Sequence, residues 1–244
     1  MGVKAAELRR LFEDYSLSTY FPESQDESLT LFLDHMLLLN ETLNLTKWTS
    51  LSEVLTHHVL DSAFGVPLIA ALKPKSGEKW MDLGTGGGFP GVLVLAAFPQ
   101  TRLYFLDAVA KKARAVEQCL AAAGWSAEIL AERAEALGRD PKTREGFDGV
   151  VARAVADLPV LLEYAVPLLK PGGHLLNWMT ADQIEKVDKS QKALAALQAR
   201  IVESREYRLP NLDQSRFILL VEKLGTTDPR YPRAVGQPSK RPLI

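Results

Sequence analysis

In the first third of the chain, apolar residues recur at three- and four-residue spacing. Leu29, Phe32, Leu33, Met36 and Leu37, followed by Asn40, fall on one stripe, which predicts an amphipathic helix. A second helix is predicted over about 51–72, with Ser50 or Ser52 placed to cap it. The stretch 73–79 reads as a loop from its Pro, Gly and charged residues. From Lys79 onward the period changes. Short apolar runs at 80–84, 103–107, 127–131, 147–152 and 174–179 read as strands, and 91–98, 110–123, 133–137 and 158–169 between them read as helices. Such alternation predicts an α/β fold with a mainly parallel sheet covered on both faces. A charged helix over 182–199 precedes two more strands, 201–209 and 216–223. No helix fits between these two, so they are predicted to pair antiparallel at one sheet edge. The chain thus divides into a helical segment (1–72), a core (73–224) and a Pro-rich tail without periodicity (225–244).

Composition narrows the function. With 47% apolar and 24% charged residues, the chain is neither collagen-like, nor a coiled-coil rod, nor mostly disordered. There are 29 Lys+Arg against 30 Asp+Glu, so a nucleic-acid partner would have to be held by a local patch. The lone Cys119 cannot form an internal disulfide, which fits a reducing compartment. The first residues lack the apolar stretch of a secretory signal, and the longest apolar run, near 92–98, falls short of the roughly 18–20 residues of a membrane span. A soluble, cytoplasmic monomer without a membrane partner is expected.

The strongest chemical signal is Asp82-Leu-Gly-Thr-Gly-Gly-Gly-Phe-Pro-Gly91, directly after the first predicted strand. Glycines let a backbone turn tightly and approach a ligand, and the carboxyl end of a strand is where open α/β sheets bind ligands. No Lys-Ser or Lys-Thr closes the run, which excludes a P-loop. Gly86-x-Gly88-x-x-Gly91 matches the dinucleotide fingerprint, but Asp82 would set negative charge against a pyrophosphate. The opening Asp-x-Gly-x-Gly instead resembles motif I of class I S-adenosylmethionine-dependent methyltransferases, which implies a Rossmann-like, seven-stranded, mainly parallel sheet with an N-terminal helical extension. On this reading Asp82, Gly84, Thr85, Gly86, Gly88 and Phe89 form the cofactor loop. Asp107, 23 residues after Gly84 at the end of the second strand, can accept hydrogen bonds from ribose hydroxyls. The segment 168–173 reads as a turn between the fourth helix and fifth strand.

Further motifs narrow the resemblance. Asn44-Leu-Thr46, His58-Val-Leu-Asp61-Ser62, the glycine loop, Asp107 with Lys111, Lys112 and Arg114, Arg133-Ala-Glu135, Ala152-Arg-Ala154, and a tail containing Tyr231-Pro-Arg233, Gly236, Pro238 and 240–243 together resemble the GidB/RsmG family of 16S rRNA guanine-N7 methyltransferases, over roughly 40–244. The resemblance implies that Gly84, Phe89, Asp107, Ala108, Val109, Ala134, Glu135 and Arg153 surround S-adenosylmethionine. It also implies a guanine substrate at position 527 of 16S rRNA, reached as naked rRNA or within the small ribosomal subunit. Arg153, leaving a strand at the binding edge, is the leading candidate for a positioning role in catalysis. Asn44, His58, Lys111, Lys112, Arg114, Arg216, Arg230, Arg233, Lys240 and Arg241 are candidate RNA contacts. Three positions depart from the family pattern: Met179-Thr180 stands where Lys-Gly is common, His57 where Arg is common, and Phe217 where His often follows the arginine.

No metal is expected. His57 and His58 are adjacent on a predicted helix and point about 100° apart, and a structural hydrogen bond is the simpler role for His58 and Asp61. A same-fold methyltransferase acting on a small molecule or protein, a nicotinamide-dependent oxidoreductase and a non-catalytic ribosome-assembly module remain as alternatives.

Overall fold

The computed structural model describes residues 2–244. The helical segment begins with α1 (Ala5–Asp14) and α2 (Asp26–Leu43); α2 buries Leu29, Phe32, Leu33 and Met36 as its stripe predicts. Ser50 caps α3 (Leu51–Val54) through a reciprocal box with Glu53. The helix predicted over 51–72 is not regular. A π-helical turn (Leu55–Leu60) leads into α4 (Asp61–Ala63), and α5 (Val66–Ala71) follows after a break. The break has a local cause. The Trp178 indole donates to the Asp61 carbonyl at 2.8 Å, so that acceptor is taken, and Gly65 N turns to Ser62 O instead. A Cβ at Gly65 would lie 2.1 Å from the same indole. The run Leu51–Ala71 is long and apolar enough to cross a membrane, and 61% of its apolar window is buried inside the protein.

The core runs β1 (Lys79–Leu83), α6 (Gly91–Ala97), β2 (Arg102–Leu106), α7 (Ala110–Ala122), β3 (Glu128–Leu130), α8 (Ala134–Leu137), β4 (Phe147–Arg153), α9 (Leu158–Ala165) and β5 (Leu169–Thr180). It continues with α10 (Ala181–Ile184), α11 (Gln191–Leu197), β6 (Ala199–Tyr207), β7 (Arg216–Lys223) and α12 (Gln237–Lys240). The seven strands lie in the order β3-β2-β1-β4-β5-β7-β6, and β7 alone runs opposite to the rest, antiparallel to β5 on one side and β6 on the other. One face of the sheet packs on the N-terminal helices, α6 and α7, and the other on α8, α9 and α11. The strand order reverses between β1 and β4, so the carboxyl ends of these two strands open the crevice in which such sheets bind ligands.

Two predicted boundaries change. The turn expected at 168–173 is a bulge inside β5: pairing jumps from Phe147↔Leu169 to Gly149↔His174, with Gly172 at φ +81°. The helix expected over 182–199 is broken into α10, a 3₁₀ turn (Val187–Ser190) and α11. Its inward positions Ile184, Val187, Ser190 and Ala193 recur in strict threes, the period of a 3₁₀ rather than an α-helix.

The tail folds back over the core as a strap. Arg144 donates to the carbonyls of Gly138, Thr227 and Tyr231 at 2.6–2.8 Å, and Arg139 to Pro232 O at 2.7 Å. The fully buried Lys223 donates to Glu145 and to Leu169 O, both at 2.7 Å, just where the strap leaves the sheet.

Candidate functional site

The glycine loop is bound to the ends of two strands. Gly84 N and Thr85 N both donate to Leu106 O, at 2.8 and 3.0 Å. Gly84, Gly86 and Gly88 adopt φ of +73°, +57° and +98°, which L side chains rarely take. Gly88 also has no room: a Cβ would lie 2.5 Å from the Phe32 ring of α2. Beneath the loop, Asp82 is fully buried. Its Oδ2 accepts from Thr85 Oγ1 at 2.6 Å and Gly91 N at 3.0 Å, while Oδ1 has no partner among the described residues. Burial pushes the Asp82 carboxyl up to about 6, against the pull of these two bonds. Asp82 and Thr85 therefore brace the loop from below.

Asp107 braces it from the side. One oxygen accepts from Gly86 N at 3.0 Å and the other from Val109 N at 2.8 Å. Next to it opens a cleft of about 280 Å³ lined by Gly84, Ala108, Ala134, Glu135, Tyr164 and Ser239, among others. Four residues predicted around the cofactor thus share one cleft. Tyr164 and Ser239 were not predicted, since Ser239 arrives through the strap and no periodic signal marks it. The strap is fastened here as well. The buried Glu135 accepts from Gly236 N at 2.9 Å, and the buried Glu163 holds Arg233 through both oxygens, the shortest contact being 2.6 Å.

Arg153 and Phe89 face the other way, toward the helical segment. The Arg153 guanidinium donates to Asp61 Oδ2 at 2.7 Å and His57 O at 2.8 Å, and lies 2.7 Å from His58 Nδ1. Arginine has no acceptor, so His58 Nδ1 must accept, and the ring hydrogen sits on Nε2, 2.6 Å from Thr46 Oγ1. Burial first, then the Arg153 and His57 charges, push His58 down to about 3, in agreement with a neutral ring. Tyr207 of β6 donates to Asp61 Oδ1 at 2.6 Å, completing a chain Thr46–His58–Arg153–Asp61–Tyr207. His58 also stacks on Phe89, with ring centroids 4.8 Å apart. His58 and Asp61 thus serve in structural hydrogen bonds as expected, the neutral ring and the carboxylate both accepting from the same arginine.

The candidate RNA contacts divide. Lys111 and Arg114 are exposed and Lys112 half-buried on the first turns of α7, beside Asp107. Asn44, left-handed at the end of α2, is exposed on a groove of about 780 Å³ that Thr46 and Lys47 also line. Arg216 begins β7, opposite Thr180. Arg233 is corrected: both carboxylate oxygens of Glu163 occupy it, so it secures the strap and is not free for RNA. Arg230 pairs with Asp228 on the surface, and Lys240 and Arg241 form no ion pair among the described residues. Two of the departures from the family pattern explain each other: Met179 and Phe217 are cross-strand partners between β5 and β7, an apolar pair with Met179 buried.

Comparison with known proteins agrees with this arrangement. The family model described as rRNA small subunit methyltransferase G matches residues 25–211. Proteins named ribosomal RNA small subunit methyltransferase G are similar along nearly the whole chain: that of Desulfitobacterium hafniense is 39% identical over 90% of each chain, and that of Acetivibrio thermocellus 35% identical over 100% of each. Among solved structures, a SAM-dependent O-methyltransferase from Thermotoga maritima is 17% identical, with TM-score 0.50 over 79% of this chain and 72% of its own. A ribosomal protein L11 methylase from Lactobacillus delbrueckii subsp. bulgaricus is 21% identical, with TM-score 0.50 over 68% of this chain and 79% of its own. These two likenesses establish the class I methyltransferase fold. The glycine loop, the helical extension and the length of the match place this chain in the rRNA small subunit methyltransferase G (GidB) family.

Proposed function

We propose that the protein transfers the methyl group of S-adenosylmethionine to N7 of a guanine in 16S rRNA, at position 527 by family resemblance, in the cytoplasm where small subunits are made. The observation that carries the reading is the cleft between the glycine loop and Glu135, with the Asp107 carboxylate at its edge. The residues fit the cofactor. Glycine 84 has no side chain to fill the cradle, and a Cβ there would meet Val155 at 2.7 Å. The Asp107 carboxylate, buried beside the cleft, is the acceptor that ribose hydroxyls require, and no phosphate-binding lysine is present in the loop. When bound, S-adenosylmethionine supplies a methyl group activated by its sulfonium.

The chain's own task is placement. Guanine N7 has a lone pair and no proton, so no general base has to act before attack. Alignment of acceptor and methyl then contributes most of the rate. Positive charge develops on the purine as the methyl arrives, and Arg153 does not oppose it, because its own charge is neutralised by Asp61. Arg153 serves as a positioning residue, holding Phe89 and the glycine loop against the helical segment.

The test counts methyl groups transferred from labelled S-adenosylmethionine to small ribosomal subunits from cells lacking this activity. One methyl per subunit is expected, and none would overturn the reading. Asp107→Ala should weaken S-adenosylmethionine binding by about 1–3 kcal/mol, roughly 5- to 150-fold, as measured by calorimetry. Unchanged affinity would remove Asp107 from the cofactor site.

A further inference from the structure

The loop between α2 and α3 carries a feature that neither cofactor binding nor the Arg153 network uses. The Trp48 ring stacks on His57, with centroids 3.9 Å apart and planes 12° from parallel, and the exposed Lys47 lays its ammonium 4.5 Å from the Trp48 ring centroid. The loop is held firmly. Asn40 Oδ1 accepts from Thr46 N at 2.8 Å, and Thr46 Oγ1 accepts from Trp48 N at 3.1 Å while meeting His58. Leu45, three residues before Trp48, lies 3.8 Å from where a Cβ of Gly87 would be, so this loop abuts the glycine loop. His57 gives its carbonyl to Arg153, which ties the stacked pair to the end of β4. Arg216 opens β7 opposite Thr180 at the end of β5, and burial first, then the Arg216 charge, holds the His57 ring below its ordinary range. Neither Lys47 nor Arg216 has a carboxylate partner among the described residues.

We propose that the Trp48–His57 stack is a platform for an unpaired base of the RNA substrate, with Lys47 and Arg216 engaging the adjoining phosphates. The proposal rests on the rRNA reading above and names a part of the acceptor site within it. Single-stranded RNA is held in this way, by aromatic faces that any base can cover and cations along its backbone. The half-buried indole sits between the exposed Lys47 and Thr49 with His57 against one face, and the unpaired Lys47, whose ammonium now covers the ring, leaves it for a phosphate as a base takes its place. The Arg153 contact sets the platform at the carboxyl end of β4, and Arg216 opens β7 opposite the carboxyl end of the neighbouring β5.

Two readouts test it. In the first, a short single-stranded oligoadenylate is titrated while tryptophan fluorescence is followed. The natural protein should show quenching that Trp48→Phe abolishes, because the other tryptophans, at 80, 125 and 178, lie elsewhere in the fold. The second is methyl transfer to small subunits. Trp48→Ala should raise KM for subunits roughly tenfold, the scale of one lost base stack, with kcat and S-adenosylmethionine affinity near those of the natural protein, and Trp48→Phe should restore most of the loss. Lys47→Ala should weaken oligoadenylate binding and flatten its salt dependence; this variant and the fluorescence titration decide the matter if Trp48→Ala does not fold. Quenching that persists in Trp48→Phe, or a KM unchanged in Trp48→Ala, would overturn the platform while leaving methyl transfer intact. Trp48-dependent quenching without any methyl transfer would support the platform and overturn the rRNA-methylation reading instead.

Discussion

Asp61→Ala is expected to destabilise the protein by about 3–5 kcal/mol, the usual cost of leaving a buried charge without its partner. Asp61 is 3% exposed and the Arg153 side chain 13%, so solvent cannot replace the lost carboxylate. The same substitution removes the acceptor of Tyr207, whose hydroxyl titrates far above its ordinary range because burial and Asp61 both oppose its ionisation. For a chain of this length the loss corresponds to a fall of roughly 6–20 °C in Tm. Cofactor affinity should fall too, since Arg153 and His58 would no longer press Phe89 and the glycine loop into place. A Tm within about 2 °C of the natural protein would show that Arg153 finds another partner and that the junction is not held by this ion pair.

The second large effect is on the pH dependence of stability. His58 titrates at about 3 when folded against 6.5 when free, so between these values the unfolded chain takes up a proton that the folded one refuses. Its contribution is complete above 6.5 and is lost as pH falls toward 3, on the order of 5 kcal/mol in all. Asp82 acts in the opposite sense. Its folded value, about 6 against 3.8, means that the folded chain holds a proton the unfolded one has released, so stability falls as pH rises from about 4 to about 6, on the order of 3 kcal/mol. The two windows overlap and partly cancel in the natural protein. Urea unfolding from pH 4 to 7.5 separates them through single variants. His58→Asn should gain stability relative to the natural protein as pH falls below 6.5. Asp82→Asn should be the more stable of the two at pH 7, with the difference closing toward pH 4. Curves parallel to that of the natural protein would contradict both assignments.

What could be read from the chain alone follows the range of the forces involved. The glycine loop, Asp107 and the end of β4 are local in chemistry: glycines, a carboxylate and strand ends mark themselves within a few residues. The antiparallel edge followed from the simple lack of room for a helix between β6 and β7. The Arg153 network could not be read this way. Its partners lie 92 residues away at Asp61 and 95 at His58, and Tyr207 is a further 146 from Asp61. Only the folded sheet brings these hydrogen-bonding groups together. The break between α4 and α5 was hidden for a related reason, because an apolar period near 3.6 does not reveal that Trp178 takes the Asp61 carbonyl. The tail has no periodicity because main-chain carbonyls and buried carboxylates hold it, not an apolar stripe, and its positive charge was therefore partly misattributed: Arg233 is a fastening inside the fold.

The central claim, that this sheet edge delivers a methyl group to guanine N7, is tested most directly by locating the methyl on the acceptor. Small subunits from cells lacking the activity are treated with the protein and S-adenosylmethionine, and the rRNA is then reduced and treated with aniline, which cleaves the chain at N7-methylated guanines. A single new cleavage in 16S rRNA, absent when Asp107→Ala protein is used at limiting cofactor, is the predicted result. Methyl incorporated without cleavage, or on another molecule, would contradict it.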